Sequence, residues 1–287
     1  SSWFTFNPPF PYLTNLVIEI PSELKDYRGE ELKNKSKFPP PDGLTQNTAA
    51  ASAQAIKAAY PSATDGVYWI DLPTVGPKQV YCLMDTKYNG GGWMMAMKST
   101  QSTTFNYDAT YWNTANTLNP SDLSRNNADA KYDVMNYFAA KDILALWPDI
   151  PNVSSESGSI DNLTNWSWLQ NSFHNSGATT TLISKFAASP TQVAIENNST
   201  GTITFDGYGS PFSKQSGYMF YGFNYQGNAS HKVRWGVSWN NETDQNTNDV
   251  SAGIGLSARS YSAGDAYGCC GSSTGINRSA RVEIYIR

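Results

Sequence analysis

The chain has 287 residues, room for one large domain with an appendage or for two small ones. Hydrophobic residues at 39% against 15% charged exclude a disordered polyampholyte, a coiled coil and a collagen-like chain. With 20 basic and 24 acidic residues the net charge is −4, and no basic block is present to follow a phosphate backbone, which argues against a nucleic-acid partner.

Residues 1–45 read as an arm distinct from the rest. Pro8, Pro9, Pro11, Pro21 and the run Pro39-Pro40-Pro41 leave no helical possibility. A strand is expected over residues 12–20, ended by Pro21. The first eighteen residues carry Trp3, Phe4, Phe6, Phe10, Tyr12, Leu16 and Ile18, an adhesive surface whose prolines prevent independent folding. Docking onto the chain's own domain and docking onto a neighbouring copy both fit this composition. Assembly into homo-oligomers or filaments through residues 1–22 is the sharper expectation, with residues 12–20 adding a strand to a neighbour's sheet edge.

The Ala-rich residues 48–60 predict a helix, with Asn47 or Thr48 as N-cap and Pro61 as the stop. Residues 66–72, 79–84 and 93–98 predict strands, separated by Pro73, Gly76 and Pro77 and by the turn Asn89-Gly90-Gly91-Gly92. Beyond them come short segments between Gly, Ser and Asn clusters, with helices expected near residues 141–147 and 166–173. The fold class is α+β, a domain over residues 46–287 with irregular loops. The longest apolar runs, such as residues 143–147 and 282–286, are far below the roughly 20 residues needed to cross a bilayer, so no membrane span is expected.

Little in the sequence supports catalysis. The two histidines, His174 and His231, lie in no zinc-binding spacing, and no nucleophile elbow, phosphate loop or dinucleotide fingerprint occurs. Cys82, between Tyr81 and Leu83 in an apolar strand, reads as packing. Adjacent Cys269 and Cys270 form a vicinal disulfide or leave one sulfur to reach Cys82, and ordinary bridge geometry favours the long-range bond. The stretch WNNETDQNTND at residues 239–249 offers Asn240, Glu242 and further oxygen donors of the kind calcium takes. It does not match the EF-hand spacing, and a plain solvated loop fits it as well. Glycosylation sequons occur at Asn34, Asn152, Asn162, Asn165, Asn197, Asn198, Asn228, Asn241 and Asn277.

The block ASAQAIKAAYPSATDGVYWIDL followed by QVYCLMDTKYNGGGWMMAMKS resembles the opening of fibrinogen-related domains, and is similar in particular to the intelectin-type lectins. The shared order is a helix with Ile56 and Lys57, Pro61-Ser62, Asp65-Gly66-Val67-Tyr68, Val80-Tyr81-Cys82 with Met84, then Gly90-Gly91-Gly92-Trp93. Tyr132-Asp133-Val134, Ala140-Lys141-Asp142 with Trp147, Trp239-Asn240-Asn241-Glu242 and the closing residues 279–287 continue it.

The resemblance covers residues 51–287. It implies a fibrinogen C-terminal-like domain with short twisted antiparallel sheets, few helices and long irregular loops. It also implies calcium, with Asn240, Glu242 and Asp265 as ligands, and a disulfide at Cys269 or Cys270 that rigidifies residues 264–271. The chain departs from the family at Ala53, where a helix cysteine is expected, and at RSYSAGDAYGCCG (259–271), where Asp265 is the one acidic residue. Sugar binding is then expected from exposed aromatics Tyr261 and Tyr267, with Asp265, Asn240 and Glu242 as polar anchors.

The function expected is a non-enzymatic extracellular or particle-surface recognition module. It binds glycans or glycoproteins and joins other copies of itself through the arm. The rival expectation is a structural subunit of a filament, surface appendage or virion.

Overall fold

The computed structural model describes residues 39–149, 172–195, 201–203, 212–214, 218–226, 231–240, 250–257, 259–267 and 278–287. Among the described residues antiparallel sheets dominate and three short α-helices accompany them, an α+β architecture. No helix among the described residues is long and apolar enough to cross a membrane.

In chain order the elements are α1 (Ala53–Ala59), β1 (Gly66–Leu72), β2 (Gly76–Leu83), β3 (Trp93–Ser99), β4 (Ala130–Lys131), α2 (Asp133–Tyr137), β5 (Ala140–Leu146), β6 (Ser172–Thr180) and α3 (Leu182–Ala187). There follow β7 (Thr191–Ile195), β8 (Gly201–Ile203), β9 (Phe212–Lys214), β10 (Tyr218–Tyr225), β11 (Val233–Asn240), β12 (Val250–Ile254), β13 (Ala263–Tyr267), β14 (Arg278–Ser279) and β15 (Val282–Ile286). The first sheet runs β1-β2-β3-β15-β5-β6, with β4 also on β3, and the second runs β14-β13-β12-β11-β10-β7. Strands β8 and β9 form a separate hairpin.

Strand β1 falls where predicted, and its even-numbered positions Tyr68, Ile70 and Leu72 are buried. Helix α1 starts later than expected. Thr45 and Thr48 cap each other in a separate 3-10 turn, Ala50 bridges Ile70 in parallel, and Ser52 is the N-cap, its hydroxyl accepting from the Ala55 amide.

Residues 141–147 correct a prediction. They are not a helix: residues 140–146 are β5, paired with β15 on one side and β6 on the other. A continuous apolar run of this length suits a strand covered on both faces as well as a buried helix, and Ile143 to Leu146 are all buried. Of the second expected helix, residues 172 and 173 begin β6, and residues 166–171 lie outside the described residues.

The core of the first sheet is β3, β15 and β5, all but one of whose residues are buried. The glycine turn delivers Trp93 into it. Gly91 has φ +76°, and a Cβ there would stand 2.5 Å from the Met84 carbonyl oxygen. The buried Trp93 donates its indole N–H to the Tyr88 carbonyl, meets Phe173 edge-on and lies under the Arg287 guanidinium at 4.1 Å. Arg287 binds the Asn89 and Gly91 carbonyls and the Asp142 carboxylate, tying turn, β5 and the end of β15 together.

In the second sheet Gly222, Gly236, Gly253 and Gly264 stand opposite one another across four strands, all with positive φ. A Cβ at Gly253 would meet the Trp235 carbonyl oxygen at 2.2 Å. Gly253→Ala is therefore expected to cost more than about 1 kcal/mol in urea unfolding. Gly66→Ala, at a site with nothing within 4 Å, is expected to stay within about 0.5 kcal/mol of the parent. Equal midpoints for the two variants would contradict the crowding at Gly253.

Candidate functional site

A cleft of about 700 Å³ opens between the β1–β2 hairpin and the segment leading into α2. One wall comes from the hairpin. Trp69, half-buried, sits on the odd-numbered face of β1 opposite Gln79, with Lys78 and Pro77 beside it on β2. The Trp69 backbone is held from outside the hairpin, its N–H donating to the Gly43 carbonyl at 2.6 Å and its carbonyl accepting from the Ala50 N–H at 3.0 Å. That places Gln46 at the cleft.

Thr117, Pro120, Ser121 and the start of α2, Tyr132 and Asp133, form the opposite wall. Several polar anchors fix it. Leu118 and Lys131 exchange backbone hydrogen bonds, the Lys131 ammonium donates to the Thr114 carbonyl at 2.5 Å, and Asn136 donates to the Ala115 carbonyl at 2.9 Å. The Tyr132 hydroxyl donates to the Asp122 carbonyl, and the Asp122 carboxylate pairs with Lys98 at 2.9 Å. Burial works to raise the Asp122 carboxyl, but hydrogen bonds from Lys98, Ser124 and Asn126 outweigh it and hold the group well below the usual carboxylate range. Across the cleft the Lys78 ammonium stands 3.7 Å from Asp133, a loose pair with both groups partly open to water.

This lining is an aromatic ring with amides, hydroxyls and one ion pair around it. Such a set orients a small polar ligand by hydrogen bonds while the ring takes its apolar face. Neither histidine contributes to the lining. His174 lies edge-on to Phe223, and His231 is buried, its imidazole pushed down to about 4 by burial and by the charge of Arg259.

The residues expected from sequence lie elsewhere. Tyr261 is no exposed platform: it is 7% exposed, and its hydroxyl donates to the Asp265 carbonyl at 2.5 Å. Asp265 is fully buried in mid-strand opposite Ala252, so its side chain is not an anchor open to a sugar. Tyr267 ends β13 opposite Val250, which stands opposite Trp239, and Asn240 is the next residue at the end of β11. The sheet thus brings Asn240 and Tyr267 to one end, with strand β12 between them. Glu242 lies outside the described residues, as do Cys269, Cys270, the arm residues Trp3 to Ile18 and all nine sequons.

Of the expected calcium set, Asp265 is buried in β13, Asn240 ends β11, and Glu242 lies outside the described residues. No group of three His, Cys, Asp or Glu side chains among the described residues is placed to hold a metal. Cys82 is a fully buried thiol, and burial followed by the nearby Asp65 charge pushes its pKa up, which makes it unreactive, while its expected partners Cys269 and Cys270 lie outside the described residues.

Trp69, Lys78, Gln79 and Asp133 were not singled out by sequence reasoning. The available signal was the alternation of 66–72, which places a large aromatic on the face opposite Tyr68, Ile70 and Leu72. No family model matches the chain, and no curated protein matches it in sequence.

Lys131 carries a pH prediction. It is fully buried, and burial pushes its ammonium down to about 8, with Asp133 pulling weakly the other way. An unfolded lysine titrates near 10.4. Between these values the unfolded chain holds a proton that the folded chain has lost, so stability rises with pH through this window. Below it the penalty of a buried charge is fully present. Lys131→Met lacks that rise. Urea midpoints at pH 7.5, 8.5 and 9.5 are expected to converge toward the variant as pH increases, and a pH-independent difference would refute the assignment.

Proposed function

We propose that the protein is a non-enzymatic, extracellular recognition module that binds carbohydrate in the Trp69 cleft, on a scaffold of the fibrinogen-related type. The observation that carries the reading is the cleft's composition. A half-buried indole stands among Gln46, Gln79, Thr117, Ser121 and the Lys78–Asp133 pair. The C–H-rich face of a pyranose ring carries partial positive charge and suits the negative face of an indole. Its hydroxyls, as donors and acceptors at once, suit amides, hydroxyls and a carboxylate.

The scaffold reading draws on the order of elements. Helix α1, strands β1 and β2, the triple-glycine turn and buried Trp93 follow one another as the resemblance implies. The closing strand β15 pairs with β3 and β5.

Calcium is not needed by this cleft. Asp133 is its one carboxylate, whereas calcium takes six to eight oxygens. Stacking and direct hydrogen bonds supply the affinity instead. Arrayed oligosaccharides are expected to capture the protein, with Trp69→Ala lowering capture at least about tenfold at unchanged folding and a chelator leaving it unaltered. Capture that survives Trp69→Ala, or that a chelator abolishes, would reject this site.

A further inference from the structure

Trp69 has a continuation along its own hairpin. In the β1–β2 register Trp69 stands opposite Gln79 and Val67 opposite Tyr81, so all four side chains leave the sheet on one face. That face is open to water. Gln79 is exposed, Trp69 and Tyr81 are half-buried, and Val67, at 41%, is one of two exposed large apolar side chains among the described residues. A lone exposed valine is ordinary. This one belongs to a strip that carries an aromatic ring on each strand, the two rings being diagonal neighbours about 7 Å apart at their Cβ atoms. Rings so spaced each take one face of successive pyranose rings in a linear saccharide.

Both rings are carried on fixed backbone. The Trp69 main chain is bonded to Gly43 and Ala50 on the outer edge of β1. Tyr81 is anchored at its hydroxyl end: burial pushes that group's pKa up, and the charge and hydrogen bond of Arg125 act the other way. Arg125 is in turn held on the buried Glu283 carboxylate at 2.8 Å. The strip itself is neutral, since its four side chains carry no charge, Arg125 is matched by Glu283 and Lys78 faces Asp133. Past Trp69 in the other direction the same face ends on Asp71 and Pro77, without a further ring. The second ring position therefore lies toward Tyr81.

We propose that the ligand is a neutral, linear oligosaccharide with one pyranose ring on Trp69 and the next on Tyr81, the Gln79 amide bonding hydroxyls beside both. The inference rests on the carbohydrate reading of the Trp69 cleft and gives that site a second position. A ring held on Trp69 has already lost its free translation and rotation, so a second ring joined to it adds its contact at little further cost. Affinity then grows with chain length.

The experiment uses the full chain captured on arrayed neutral glucan, mannan, galactan and xylan oligosaccharides. Free mono-, di- and trisaccharides of the captured series compete, and the quantity read is the concentration of each that halves capture. The trisaccharide is expected to be at least about fivefold more effective than the monosaccharide, the gain of one ring contact. Tyr81→Ser is expected to lose this gain, Tyr81→Phe to keep it, and Trp69→Ala to weaken saccharides of every length. No gain with length in the intact chain, or the same gain in Tyr81→Ser, overturns the second position while Trp69-dependent capture stands. Capture of no saccharide, or capture indifferent to Trp69→Ala, removes the carbohydrate reading and this inference with it. Should Tyr81→Ser lose its cooperative urea transition, Val67→Arg takes its place, a change at an exposed position that lays a long charged side chain across the strip. It is expected to abolish the gain with length, and an unchanged gain overturns the proposal.

Discussion

Two opposite charges buried face to face constrain the molecule. Lys98 on β3 and Glu283 on β15 are register partners, each almost fully buried in strands covered on both faces. Taking such ions out of water costs several kcal/mol each unless they are bonded in place, and here residues 122–126 complete the bonding. Lys98 binds Asp122, the Ser124 carbonyl and Asn126, while Arg125 binds the Glu283 carboxylate at 2.8 Å and Tyr285 donates to the same group. Arg281, itself paired with Asp149, donates to the Arg125 carbonyl. The segment cannot leave without stranding two charges in the core.

That constraint reaches the cleft. The clamped segment holds Tyr132 through the Asp122 carbonyl, and Leu123 and Tyr132 belong to the lining. The wall opposite Trp69 is thereby an extension of the sheet's central bonding rather than a free loop. A rigid wall suits recognition, since a ligand meets donors and acceptors already in position and spends less of its binding energy on ordering them.

What the sequence made legible was local. Residues 66–72 alternate cleanly, Gly90 to Trp93 form a turn whose strained glycines are required by the backbone, and each matches its prediction. What it hid was tertiary. Residues 140–146 carry an apolar run that becomes a strand only because β15, more than a hundred residues later, pairs with it. Tyr261 and Asp265 look like a polar aromatic loop in sequence, yet Asp265 lies inside strand β13, Tyr261 stands just before it, and both are buried. Trp69 was not singled out, because the wall that makes it part of a cleft comes from residues 117–134, where the sequence offers no periodic signal. Lys131 gave none either, since burial of a lysine is a consequence of the loop that lies over it.

Strand β15 has a temporal consequence. It inserts between β3 and β5, so these two strands, separated from it by some 140 to 190 positions, have no direct bond to each other. During synthesis their facing edges stay open until residues 282–286 emerge, and such long-range pairing is slow because the intervening chain must first be brought together. Open edges on apolar strands are the surfaces that nascent chains stick by. The protein is thus most vulnerable to aggregation in the interval just before its closing strand leaves the ribosome, and its yield in a cell depends on what shields β3 and β5 until then.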